Sequence, residues 1–400
     1  MVKRSDIPTF GSLRDIKLVN ASSAVGGPVL SCLFAEQGAD VIHIEGTKVP
    51  DMFRMFPWGW STDRRNMRDL CMDIFSDEGK KAFFSLIEDA DVLVESSRGG
   101  TWESKGITDE VLWAINPRLV ILHISGFGLT GMPEMIQKAS YDQVGQCYSG
   151  IAMLNADESG PVLIKPYPTD FYVALLGAWS VMAAIYRRNT TKVGESIDLS
   201  QAEAALRMHS YFAGEAFNTG VQTAPRKNST ESMSFFKTKD DDWVWVYATP
   251  GYTEISLRAI GLDENSGVNL KAPYVDGETE EYTNIIAPKC KEYCAAHSYE
   301  EIEKNLSPHY WLTAPVYGYK DILNDPHYKA REAVTEYEAP DLGKSDYKAI
   351  GLVPKFKNEP SQIWRGGPTM GMDNEDILAE AGMSAEEIQA LYDKKLLVKR

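Results

Sequence analysis

Over the first 130 residues, short runs of β-branched and aliphatic residues alternate with helix-length segments, the pattern of a parallel sheet covered by helices. Residues 16–20 read as a first strand and 29–36 as the helix after it, closed by Gly38. Residues 41–44 form a second strand ending at Glu45, 91–94 a third and 119–124 a fourth, with helices expected over 77–87 and 108–114. This order implies a doubly wound α/β architecture. Residues 194–200 look like a further turn and strand, and 201–217 like a helix.

A chain of 400 residues exceeds one usual core. The texture changes after Arg188: residues 220–232 read as a polar connector, and 235–238, 239–242 and 243–247 as strand, turn and strand. We therefore expect a large domain from residues 1–220 with 335–400, and a smaller α+β domain from 225–330. Near the carboxyl end, Ser384-Ala385-Glu386-Glu387 matches a capping box.

With 44% hydrophobic and 24% charged residues the composition is that of a globular protein. A net charge of −16 and the lack of any basic run argue against nucleic acid as a partner. The amino end leads to no apolar signal core, and the uncharged stretch 171–186 falls short of the roughly 20 residues that span a bilayer. No membrane association and a cytoplasmic location are expected. Cys32, Cys71, Cys147, Cys290 and Cys294 are an odd, scattered set that fits free thiols. Cys290, Cys294 and His297 lack a clear fourth ligand, so no metal is expected.

Asp170, in Tyr167-Pro168-Thr169-Asp170, stands at the head of the apolar stretch 171–186. A Pro-led turn there sets a carboxylate among partly positive backbone N–H groups, where it would stay ionised and act as a nucleophile, or simply cap the helix. His43 and His123 lie within apolar strand runs and read as satisfied core histidines. The strand, glycine-rich turn and helix also admit a nicotinamide-dependent oxidoreductase with Glu45 on the ribose. The turn 21–28 has no G-x-G-x-x-G, however, and Pro28 removes an N–H where a pyrophosphate would bind. Glu45 is otherwise a solvated strand-end carboxylate.

Gly27-Pro28, the run 38–45, Arg65-Asn66, Asp73 with Glu78-Gly79, Ser125-Gly126-Phe127-Gly128 and Tyr167 to Asp170 together resemble, nearly end to end, the ordered motifs of class III CoA-transferases, the formyl-CoA transferase-like family. Residues 106–113, 354–358, 362–366 and 371–373 are similar to its carnitine-acting branch. The resemblance implies reversible CoA transfer between an acyl-CoA and a free acid, without a metal or organic prosthetic group, through an anhydride and a CoA thioester on Asp170. It places Arg98 and Lys105 at CoA-binding basic positions, with the two residue types exchanged. It also implies an interlocked homodimer of ring-like subunits.

Gly26 and Gly27 are candidate oxyanion donors or simply permit a tight turn. A betaine-type acid such as carnitine, γ-butyrobetaine or crotonobetaine is the expected acceptor. The rings of Trp58 and Trp60, the more exposed-looking tryptophans, would receive its cation. A 2-hydroxy acid or dicarboxylate is the alternative within this chemistry, and a noncatalytic CoA-binding protein the alternative outside it.

Overall fold

The structure, a computed structural model, describes residues 2–221, 234–277 and 279–400. It divides into two compact units: residues 1–156, 161–224 and 330–400 form the larger, and 157–160 with 225–329 the smaller. The connector read over 220–232 lies almost wholly outside the described residues.

In chain order the larger unit runs β1 (Lys17–Ala21), α1 (Gly26–Glu36), β2 (Asp40–Glu45), α2 (Pro57–Asp63), β3 (Arg68–Cys71), α3 (Asp77–Ile87), β4 (Val92–Glu95), α4 (Asp109–Ile115) and β5 (Val120–Ser125). It continues with α5 (Pro133–Ile136), α6 (Asp142–Tyr148), α7 (Ile151–Leu154), α8 (Pro168–Thr191), β6 (Glu195–Ser200), α9 (Gln201–Met208) and α10 (Ser210–Thr219). The sheet is parallel throughout, ordered β3-β2-β1-β4-β5-β6. Strands buried on both faces read as near-continuous apolar runs. Leu18, Val41, Val92 and Val120 accordingly face one core with Leu30, Phe34, Val173 and Val181 of α1 and α8. Their neighbours Val19, Ile42, Leu93 and Ile121 face a second core with Phe83, Leu86, Ile377 and Leu391.

Sequence reading missed β3, whose Arg68 and Asp69 break the apolar signature. Both are buried: Arg68 makes a bidentate pair with Asp40 at 2.9 and 2.8 Å, and Asp69 accepts the N–H of Gly371 at 2.6 Å. The helix expected over 201–217 breaks at His209 into α9 and α10.

α8 runs 24 residues, and by length and composition it is apolar enough to cross a membrane. The expectation that it is too short for a bilayer is thereby corrected: the helix continues through charged Arg187 and Arg188 to Thr191. Val173, Ala174, Gly177 and Val181 face the core. A Cβ on Gly177 would lie 2.6 Å from Leu30 Cδ1, so glycine lets α8 lie close against α1. Phe171, Leu175, Trp179, Met182 and Tyr186 form an exposed stripe at helical spacing.

The smaller unit contains an antiparallel sheet of Phe235–Lys237, Trp243–Ala248 and Trp311–Pro315. Its core alternates Val244, Val246 and Ala248 inward, over Leu257, Ile286 and Cys290. The larger unit also carries a two-stranded hairpin, Val334–Ala339 with Lys344–Ile350, that the sequence did not announce.

Candidate active site

Strand order reverses between β1 and β4, and ligands of doubly wound sheets sit outside the strand ends at such a point. A cleft of about 600 Å³ opens there. Its wall includes Ser23 to Gly27 after β1, Ser96 to Arg98 after β4, Gly126 after β5, the 138–141 segment, and Asp170 and Gln201.

The loop after β1 is held by buried charge. Ala24 sits at φ +68°, a left-handed conformation uncommon for a residue with a Cβ. Its N–H donates to Asp51 at 2.9 Å and its carbonyl accepts from Arg64 at 2.5 Å. Asp51 also accepts from Ser23 Oγ and Phe53 N–H, and pairs with Arg64 at 2.6 Å. Burial opposes charge on Asp51, yet Arg64 and His43 hold its carboxyl well below the usual range. Behind this clamp, Gly26 and Gly27 begin α1, where the first N–H groups of a helix have no intrahelical acceptor. A Cβ at Gly27 would strike Ser22 Oγ at 2.0 Å; one at Gly26 would lie 3.7 Å from the carbonyl oxygen of Asp170.

Asp170 is the third residue of α8, half-buried, and one of its oxygens, Oδ1, accepts a hydrogen bond from Gln201 Nε2. Gln201 begins α9 directly after β6, and its Oε1 accepts from Ser140 Oγ at 2.6 Å. Asp142, at the start of α6, accepts from Thr169 N–H at 2.9 Å, Thr169 Oγ1 at 2.7 Å and Gln146 Nε2 at 2.6 Å. Burial first, and then the Asp142 charge, push the Asp170 carboxyl up to about 7, against the hydrogen bond from Gln201. The expectation that a helix head keeps Asp170 ionised is thus corrected: desolvation and a like charge outweigh it.

Arg98 lines the cleft with an exposed side chain, and its Nη1 reaches the carbonyl of Gln137 at 3.5 Å. Lys105 is exposed in the single turn Glu103–Lys105 and does not line this cleft. Lys138 does, and sequence reading missed it. A second cavity of about 270 Å³, lined by Lys48, Phe75 and Trp102, shares Val49 and Ser97 with the first.

Trp58 and Trp60 lie on α2, and neither lines the cleft. Trp58 is 59% exposed and stacks on Tyr347 at 6.1 Å. Trp60, read as exposed, is 1% exposed: its Nε1 donates to the carbonyl of Pro368 at 2.9 Å, and the Arg54 guanidinium already lies 3.8 Å over its ring. Among the described residues the cleft wall holds one aromatic side chain, Tyr141.

Glu45 is neither solvated nor free for a ribose. It is buried, bonds Arg54 Nε at 2.9 Å and accepts the N–H of Asp51 at 2.9 Å. His43 contacts Asn20 at 2.8 Å inside the core. His123 is more than a satisfied core histidine: it bridges Glu95 at 2.8 Å and Asp109 at 3.0 Å. Burial disfavours its charge, but bonds to Asp109 and Glu95 prevail and raise its pKa to about 10.

Of the sequence-predicted residues the cleft brings together Asp170, Gly26, Gly27 and Arg98; sequence reading did not single out Asp51, Arg64, Lys138, Ser140, Asp142 or Gln201. The serine and aspartate in the 138–142 segment after the Ser125-Gly126-Phe127-Gly128 motif were the available signal.

Residues 13–374 match the family model described as CoA-transferase family III. The chain is 34% identical over 393 residues to bile acid CoA-transferase BaiK of Clostridium scindens, covering 96% of this chain and 89% of the relative. It is also 34% identical over 408 residues to L-carnitine CoA-transferase of Proteus mirabilis, covering 99% of each. In fold it is similar to a CAIB/BAIF family protein of Brucella suis, with a TM-score of 0.78 at 20% identity over 93% of this chain and 100% of that one.

Proposed function

Because this chain belongs to CoA-transferase family III and is a CoA-transferase, we propose that it moves CoA reversibly between an acyl-CoA and a free carboxylic acid with Asp170 as nucleophile. The observation that carries this reading is the half-buried Asp170 carboxylate in a cleft at the sheet's switch point, held through one oxygen. Ionised Asp170 attacks the thioester carbonyl and expels CoA thiolate, leaving a mixed anhydride. The thiolate then attacks the aspartyl carbon, releasing the first acid and leaving an aspartyl-CoA thioester. The acceptor acid reverses the sequence. Gly26 and Gly27 are assigned to offer N–H groups to an oxyanion on the acyl carbon. Arg98 and Lys105 are assigned to the CoA phosphates, with Lys138 as a further basic residue of the cleft wall.

The acceptor is assigned to the betaine class, supported by the full-length likeness to an L-carnitine CoA-transferase. A second reading, a bulkier carboxylic acid of the bile acid kind, is favoured by the equal identity to the Clostridium scindens enzyme and by a cleft wall with, among the described residues, a single ring, Tyr141. The reaction is assigned to the cytoplasm and to a homodimer whose subunits interlock. Support for the dimer comes from the exposed apolar stripe of α8, which a second copy would cover.

Mass spectrometry of enzyme incubated with acyl-CoA alone tests the mechanism: a CoA adduct is expected at Asp170, and an adduct elsewhere rejects it. Comparing kcat/KM for carnitine-type acids, their neutral tert-butyl isosteres and a bile acid, with one CoA donor, tests the acid. Equal values for the charged and neutral isosteres reject betaine specificity.

A further inference from the structure

We propose that Gln201 is a catalytic residue whose side-chain N–H stabilises the oxyanion formed at the aspartyl carbon itself, in a step separate from the one served by the loop after β1. This rests on Asp170 being the nucleophile. The two oxygens of Asp170 are not equivalent: Oδ1 accepts from Gln201 Nε2, whereas among the described residues Oδ2 accepts no hydrogen bond. The carboxamide is buried and oriented, because its Oε1 accepts from Ser140 Oγ at 2.6 Å and its Nε2 also lies 3.4 Å from Thr169 Oγ1. A fixed donor aimed at one oxygen leaves the other to form the new bond.

The chemistry then balances without a proton. Oδ2 bonds to the acyl carbon, and the C–S bond breaks with its electron pair on CoA sulfur. When the thiolate attacks Cγ, an S–Cγ bond forms and the π electrons of the aspartyl carbonyl move onto Oδ1, the atom that faces Gln201 Nε2–H. Collapse breaks the Cγ–Oδ2 bond, and the first acid leaves as a carboxylate carrying Oδ2. Gln201 thus opposes charge that develops on Oδ1 each time Cγ becomes tetrahedral, both as aspartyl-CoA forms and as it is consumed.

Among the described residues, Asp142 on α6 is the charged group that acts on Asp170, Arg98 and Lys138 line the same cleft, and α1 and α9 contribute Gly26 and Gln201 to its wall, neither titratable. Removing the Gln201 donor therefore takes away the hydrogen bond that favours ionised Asp170 and leaves the opposing influences of burial and Asp142.

The test uses full-length enzyme, acyl-CoA and no acceptor, following the CoA adduct on Asp170 by intact mass in single turnovers. Gln201→Leu should form the adduct about 10²–10³-fold more slowly, with the donor KM within about twofold of wild type and the acid limb of the rate moved to higher pH. Ser140→Ala, which frees Oε1 without touching Asp170, should shift both in the same direction by less, and it decides the matter if Gln201→Leu does not fold. Adduct formation within about threefold of wild type, a loss confined to KM, or an unmoved acid limb would overturn the role of Gln201. Absence of the adduct from wild type is a different failure: it removes the nucleophile, and this proposal with it.

Discussion

Asp142 accepts both the backbone N–H and the hydroxyl of Thr169, at 2.9 and 2.7 Å, and so fixes the first turn of α8 with Asp170 beside a buried negative charge. One carboxylate thereby positions the other and also raises its pKa.

Activity should accordingly rise with pH through about 7, as Asp170 ionises. Asp142→Asn keeps an acceptor for Thr169 but removes the like charge, so its acid limb should move to lower pH. A kcat/KM profile from pH 5 to 9 checks the direction.

The same raised pKa has a stability consequence. The native state binds the Asp170 proton more tightly than the unfolded chain, so this group's contribution is fully present below about pH 4 and is lost as pH rises through about 7. Asp170→Asn should be more stable than wild type at pH 8, by about 1–2 kcal/mol after allowance for partial exposure. The difference should vanish near pH 4. Urea unfolding at the two pH values measures it.

Asp51→Ala should destabilise the protein by about 3–5 kcal/mol, because it leaves the Arg64 guanidinium buried and unpaired and frees the loop at Ala24. Chemical denaturation reads the loss.

Arg98→Ala and Lys138→Ala should raise the KM for acyl-CoA about tenfold or more, from loss of charged hydrogen bonds to phosphate, with a smaller change for the acid. Lys105→Ala, off the cleft wall, should have the smallest effect. Initial rates with each substrate varied separate the three.

Trp179 is 70% exposed at the centre of the α8 stripe. Trp179→Glu should convert the proposed dimer to monomer at micromolar concentration, because an unpaired carboxylate would be desolvated in the interface. Sedimentation velocity distinguishes the species.

β1, β2, β4 and β5 were legible because each carries a run of consecutive aliphatic residues buried on both faces, and that signal is local. β3 was not, since Arg68 and Asp69 enter the core only as partners of Asp40 and the Gly371 N–H. Trp60 was misread for the same kind of reason: its burial depends on Arg54 and Pro368, the latter 308 residues away in sequence.

From sequence alone came the alternation that makes a doubly wound sheet, the glycines of the turn after β1 and the place of Asp170 at the head of α8. Tertiary structure decided what that carboxylate is like. Gln201 lies 31 residues after it, and Asp142 reaches Thr169 across 27. Periodicity and turn chemistry are written in neighbouring residues, whereas desolvation and charge–charge repulsion depend on which distant groups the fold brings within a few ångströms.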